Sequence, residues 1–287
     1  MIESDIQPLK LLEAAPYTFK NTISVYKITA LLLLCGCLNG LTAEIGRSLH
    51  EQGLNSVAGL FGVGFYFPAI IGIAFSRIWS ENYAQENVWP SGLIIISACV
   101  FCIMILVPSS LVSWLAVGLF AVIIFLKNTG DAKIGAGLFA ALALCAIWTN
   151  FGFKVFVTPL TNLDTILVQK ILQWIGYSVE RSQNILTQVS GFKVIILADC
   201  STWKGLPLEI LSFISVCIFG GAAVKSKRIW VATLIMIPIM IILNLVRLSL
   251  ISLSPELHET VHGDTGRSIF DVVRVTAIFM TALFIVQ

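Results

Sequence analysis

The sequence predicts an all-α polytopic membrane protein, with about eight transmembrane helices and one small helix plus β-hairpin insertion outside the bilayer. Of its 287 residues, 57% are hydrophobic and only 12% charged, at a mean hydropathy of +0.92. That balance lies far from the one a soluble domain needs. Apolar runs of bilayer length recur along the chain, and the one long polar interruption, 158–204, has such runs on both sides. The whole of 1–287 therefore reads as a single integral membrane domain. A net charge of +2 is too small to draw in nucleic acid or an acidic partner, so charge matters here through its position.

The runs fall at about 26–45, 57–76, 91–107, 111–126, 134–157, 206–224, 229–253 and 268–287, each near the length a helix needs to cross hydrocarbon. Pro108, Ser109 and Ser110 divide the third from the fourth, as a tight turn or a re-entrant kink. Glu3, Asp5, Lys10, Glu13 and Lys20 leave no apolar centre for a cleavable signal peptide, so the first span is expected to act as the targeting signal. Basic loops set the orientation. Lys10, Lys20 and Lys27, then Lys127 and Lys133, then Lys225, Lys227 and Arg228 all fall on one side of an eight-span chain, which the positive-inside rule makes cytoplasmic. The segment 158–204 and the loop 254–267 then lie outside, placing the protein in the inner (plasma) membrane with its polar insertion on the extracytoplasmic face.

Within that insertion Leu163, Ile166, Leu167, Ile171, Trp174 and Ile175 recur at helical spacing opposite Thr165, Gln169 and Gln173. They predict an amphipathic helix that packs as a lid or contacts lipid, and ends at Gly176. The runs 185–189 and 192–197, rich in Val and Ile, predict a hairpin turning at Ser190 and Gly191. Its second strand leads to Asp199 and Cys200, ahead of a helix expected to begin near Pro207.

Of the seven cysteines, Cys35, Cys37, Cys99, Cys102, Cys145 and Cys217 lie inside apolar runs, where a thiol behaves as a small hydrophobe. Cys200 alone sits at a polar boundary. A cysteine nucleophile works as its thiolate, which a helix N-terminus, a histidine or a cation stabilises. The following helix, His262, and Lys204 or Arg247 can supply these. Arg247 stands in a run of Ile, Leu, Met and Val; burying it there costs roughly 2.5–3.5 kcal/mol and marks a site. Asn244, three residues earlier on the same helical face, is expected to orient it; an ion pair with Glu209 is the purely structural reading of the same arginine. His262 lies in a short outer loop and is followed by Gly263 and Gly266, which free the backbone to bring it close to another group and argue against a helix there. His258 competes for its role. A His258–His262 pair lacks a third ligand of fitting type, so neither metal nor cofactor is expected. Asp271 and Arg274, three apart, can neutralise each other or serve the site.

Cys200 before one helix, Asn244 to Arg247 near the end of the next, and His262-Gly-Asp-Thr-Gly-Arg-Ser-Ile-Phe270 before the last together resemble the exosortase/archaeosortase family of membrane cysteine transpeptidases. Many members carry Ser-Gly directly after the cysteine, whereas this chain reads Ser201-Thr202-Trp203-Lys204-Gly205. The resemblance covers about 157–287 and implies catalytic roles for Cys200, Arg247 and His262, with Asn244, Glu209, Asp199, Lys204 and His258 supporting them or binding substrate. It further implies a reaction: cleavage of a C-terminal sorting signal of the PEP-CTERM type on exported proteins, at the outer membrane face, through a thioester. The expected partners are those exported proteins and membrane lipid. A second class stays open at this stage: a transporter or channel whose Arg247, Glu209, Asp271 and Arg274 line a path.

Overall fold

The computed structural model describes residues 25–53, 65–81, 91–107 and 109–286. Helices α1 (Val25–Gln52), α2 (Tyr66–Trp79), α3 (Ser91–Leu106), α4 (Ser110–Lys127) and α5 (Gly130–Ile147) form one bundle. Then come α6 (Phe153–Val155), α7 (Val157–Trp174), strands β1 (Val179–Ser182), β2 (Ile185–Gln188) and β3 (Lys193–Ile195), and helices α8 (Thr202–Phe219), α9 (Lys227–Ile251), α10 (Pro255–His262) and α11 (Asp264–Val286). The polytopic helical class stands. Among the described residues six helices are long and apolar enough to cross a membrane, which corrects the expected count of eight. The second and third apolar runs form α2, of 14 residues, and α3, of 16. At 1.5 Å per residue they reach about 21 and 24 Å, short of a hydrocarbon core of about 30 Å. Part of the second run, 57–64, lies outside the described residues, as do the N-terminal charges at positions 3–20.

The first bundle is held by fit between apolar side chains. Leu33, Ile70, Trp114, Phe139 and Leu142 are fully buried in one continuous core, and α1 approaches α4 closely because Gly36 and Gly40 leave room for Val117, Phe101 and Trp114. Polar groups inside it pair locally: Asn39 donates to the Ile105 carbonyl and to Ser113 Oγ. At the end of the bundle where α2 finishes and α5 begins, Arg77 pairs with Asp131 at 3.0 Å and donates to the Ile218 carbonyl of α8.

Between α5 and α6 the chain makes one π-helical turn, Trp148–Gly152. Gly152 is required there, since a Cβ would sit 2.9 Å from the Trp148 ring. The wider turn aims the Trp148 indole at α8, where it donates to the Trp203 carbonyl at 3.0 Å. That carbonyl would normally receive the N–H four residues on, but residue 207 is proline and has none. Helix α8 thus starts at Thr202, five residues before the Pro207 position expected from sequence, because the π-helical turn after α5 supplies the missing donor.

Helix α7 ends at Gly176, as its sequence predicts, with φ 93° and the Tyr177 N–H reaching back to the Leu172 carbonyl. Its buried face is not the apolar stripe. Thr161, Asp164, Thr165, Val168 and Leu172 point inward, whereas Leu163, Trp174 and Ile175 are exposed. The polar start of α8 lies beneath α7 and needs hydrogen-bond partners, and that demand outweighs burial of the stripe. The sheet has three antiparallel strands in the order β1-β2-β3. Polar β1 carries no alternating apolar pattern and escaped the sequence reading. The β2–β3 loop is one residue longer than expected: Gly191, at φ 87°, closes a turn back to Gln188, whose own N–H bonds the Phe192 carbonyl. Gln188 Nε2 donates to the carbonyls of Ser252 and Leu253, tying the sheet to the end of α9. Val168, Leu172, Leu186, Ile196, Leu245 and Leu248 pack into one cluster that joins α7, the sheet and α9.

Candidate active site

A cavity of about 430 Å³ opens among α2, α8, α9 and α11, and its lining includes Cys200, Asp199, Lys204, Glu209, Asn244 and Arg247. Cys200 closes a short 3-10 turn, Ala198–Cys200, and the next residue, Ser201, is the N-cap of α8. Cys200 therefore stands one residue before the N-cap, at the positive end of an 18-residue helix, and it packs against the Val168 and Leu248 cluster.

Two elements fix this turn. From α9, Asn244 Nδ2 donates to the Cys200 carbonyl at 3.0 Å and to Thr202 Oγ1 at 2.9 Å. Its other amide atom, Oδ1, accepts from Arg274. Arginine only donates and a carbonyl only accepts, so this network admits one orientation of the amide. From α7, Asp164 is fully buried, and its Oδ2 accepts from Ser201 Oγ at 2.6 Å and from the Thr202 N–H at 3.2 Å. Asn244 thus orients the cysteine turn, and not Arg247 as its i, i+3 spacing had predicted.

The two arginines of the cavity differ in kind. Arg274 pairs with the buried carboxylate of Glu209 at 3.2 Å, which replaces both sequence expectations, Glu209 with Arg247 and Asp271 with Arg274. Asp271 remains exposed at the cavity wall. Arg247 is 8% exposed, and no ion pair or hydrogen bond claims its guanidinium among the described residues; its Nε is buried without a partner. A desolvated guanidinium facing a cavity is a strong site for a carboxylate or a developing oxyanion. Lys204 pairs with Asp199 at 2.5 Å on the rim, which neutralises it and leaves Arg247 as the cation next to the thiol.

His262 does not line the cavity. It ends α10, a helix where the sequence had argued for a loop, and stacks on His258 with ring centroids 5.3 Å apart. The two glycines serve the sharp join of α10 to α11: a Cβ on Gly266 would come within 2.3 Å of the Thr260 carbonyl oxygen, and one on Gly263 within 2.7 Å of that of Glu259. Burial, then His258, Arg247 and Arg267, hold the His262 pKa below its ordinary value. Arg247 and Arg267 act on both Cys200 and His262, so the thiol and imidazole flank the same positive field, but among the described residues no hydrogen bond joins them.

Sequence reasoning missed Asp164 as a site residue and the pairing of Arg274 with Glu209. For Asp164 the signal was a lone carboxylate four residues before Val168 and eight before Leu172, on the face of α7 that turns inward. Arg274 had been weighed as a partner of Asp271, as part of the site or as part of a transport path, because nothing in the sequence pairs it directly with a carboxylate 65 residues earlier.

A thiol at a helix start beside an unpaired buried guanidinium, in a cavity walled by membrane-length helices, defines an integral multi-pass membrane protein with a site suited to acyl or anionic groups. A family model described as transmembrane exosortase (Exosortase_EpsH) matches residues 56–284, and the chain belongs to that family. No curated protein and no solved structure gives a significant match.

Proposed function

We propose that this exosortase is a cysteine transpeptidase or protease that cleaves C-terminal sorting signals of exported proteins. The observation that carries the reading is the shared cavity of Cys200 and Arg247, the first beside a helix N-terminus and the second buried with no partner of its own. Cys200 Sγ attacks the scissile carbonyl and forms a C–S bond. The carbonyl oxygen gains charge, and Arg247 is placed to hold it. As the C–N bond breaks, the thiol proton passes by way of His262 to the leaving amine, and a thioester remains on Cys200. Water or an amine then attacks the thioester, giving up its proton to the same imidazole, and as the C–S bond breaks that proton passes to Cys200 Sγ, which releases the acyl product and restores the thiol. His262 must reach the thiol or the amine once substrate is seated, a tightening common to sites that are loose when empty. Asn244, Glu209, Asp199 and Lys204 hold the turn, the second arginine and the rim.

The proposal extends to setting and substrate. The insertion 158–204 and the cavity face the extracytoplasmic side of the inner membrane, as the basic loops imply, and the substrates carry PEP-CTERM-type signals, as members of this family are expected to cleave. The test is a peptide chloromethyl ketone bearing such a signal, added to the purified protein in lipid. The expected result is one adduct, mapped to Cys200 by mass spectrometry and absent from Cys200→Ala. Equal labelling of that variant would end the enzyme reading.

A further inference from the structure

Asp164 is the most deeply buried carboxylate near the cysteine turn, and the chemistry above does not use it. Its position on α7 is 37 residues before Ser201, the residue after the nucleophile, yet Oδ2 accepts hydrogen bonds from both Ser201 Oγ at 2.6 Å and the Thr202 N–H at 3.2 Å. A Ser at an N-cap ordinarily turns its oxygen onto the first N–H groups of its own helix. Ser201 makes no such bond; its hydroxyl points away as a donor, and Asp164 takes over the cap from outside. The second carboxylate oxygen, Oδ1, is buried and meets no donor at full hydrogen-bond geometry, although the nearby Trp203 indole favours the ionised carboxyl. Burial raises the Asp164 pKa, opposed by these hydrogen bonds. Solvation alone would not keep a carboxyl group here, since a buried oxygen short of partners is unfavourable. What the position gains is a rigid link between α7 and the two residues that follow Cys200.

We infer that Asp164 is a positioning residue for the nucleophile, acting from α7 through Ser201 and Thr202, and that α7 is the strut that sets the direction of the Cys200 side chain. The inference rests on Cys200 being the nucleophile. The Cys200 carbonyl is held by Asn244 on one side and the two following residues by Asp164 on the other, so neither contact alone defines the turn. Asp164 touches neither substrate nor thiol. Its loss should act on the chemical step and leave substrate binding alone.

Three variants in the full-length protein, in lipid, test this. Asp164→Asn keeps an oxygen able to accept both hydrogen bonds and should hold kcat within about threefold of wild type. Asp164→Ala should lower kcat about 10–100-fold at nearly unchanged KM, the size expected when a reacting group is displaced by about 1 Å. Ser201→Ala removes only the hydroxyl and should lower kcat about three- to tenfold, which keeps the question answerable if the alanine variant at 164 fails to fold. A substrate-free readout accompanies these: the rate at which iodoacetamide alkylates Cys200, followed by peptide mass spectrometry. It should shift about tenfold in Asp164→Ala, in step with the loss of turn geometry, and return toward wild type in Asp164→Asn. Wild-type kcat and alkylation in Asp164→Ala or Ser201→Ala would overturn the inference. So would an asparagine variant as impaired as the alanine one, which would assign the role to charge. An alkylation shift in a protein that never cleaves a signal peptide would sink the transpeptidase reading and leave the strut standing.

Discussion

The bundle of α1 to α5 and the group of α8, α9 and α11 are made of similar apolar helices, yet they are held together differently. In the first, helices meet through glycine gaps and interlocked rings, and polar atoms such as those of Asn39 are satisfied by near neighbours. In the second, a chain of polar contacts runs from Glu209 through Arg274 and Asn244 to the cysteine turn, around a cavity that close packing would have filled. Apolar fit makes a stable wall. Only directional contacts can hold a thiol and a guanidinium at fixed positions beside open space. The comparison teaches that the second group adds to an apolar core of its own, around Phe213, Met236 and Ile278, a polar chain that the first lacks among the described residues, and the substitutions below separate loss of turnover from loss of stability.

The largest separation is expected at the two arginines. Arg247→Lys keeps the charge but not the planar fork, so turnover should fall roughly 10²–10³-fold with the detergent melting temperature unchanged. An active, well-folded lysine variant would argue against Arg247 at the oxyanion. Arg274→Ala leaves Glu209 buried and unpaired, so unfolding should become easier by about 3–5 kcal/mol. A melt unchanged by that variant would mean the pair contributes nothing to the polar half.

On the apolar side, Gly36→Ala drives a Cβ to 2.6 Å from Val117 Cγ2 and 2.7 Å from Phe101 Cζ. Overpacking should lower stability by about 1–3 kcal/mol. Turnover per folded molecule should match wild type, and a selective loss of turnover would show that the halves are coupled.

The smallest effect belongs to His258, read against His262 as a pH profile. Because His262 is held below its ordinary value of 6.5, its imidazole is neutral at neutral pH and available as a base. Activity should be flat there and decline only as pH falls through that lowered value. His262→Ala should abolish product. His258→Ala should leave much of it and, by removing a neighbour that disfavours the imidazolium, move the acid limb to higher pH. An unmoved limb, or loss of product in His258→Ala alone, would transfer the acid–base role to His258.

Much of the fold could be read from the sequence because bilayer spans announce themselves by composition, and Cys200, Asn244 and Arg247 stood out as polar residues at apolar boundaries. Contacts between distant segments were not legible. The Asp164–Ser201 bond joins residues from separate elements, and no periodicity encodes it. The α10 helix was hidden by Gly263 and Gly266, whose value lies in the close approach of two helices, and the early start of α8 was hidden by Pro207, whose missing donor is replaced from the π-helical turn after α5.

The cysteine turn draws on the π-helical turn after α5 for the Trp148 indole, α7 for Asp164 and α9 for Asn244, and Asn244 in turn is held by Arg274 from α11. These suppliers span almost half the chain, and the last arrives near its end. A chain still emerging from synthesis therefore holds Cys200 in a turn that already has its cap from Asp164 but lacks its amide clamp, Asn244, and the arginine behind it, Arg274. The geometry of the Cys200 turn is complete only once α9 and α11 have been made and have packed around it.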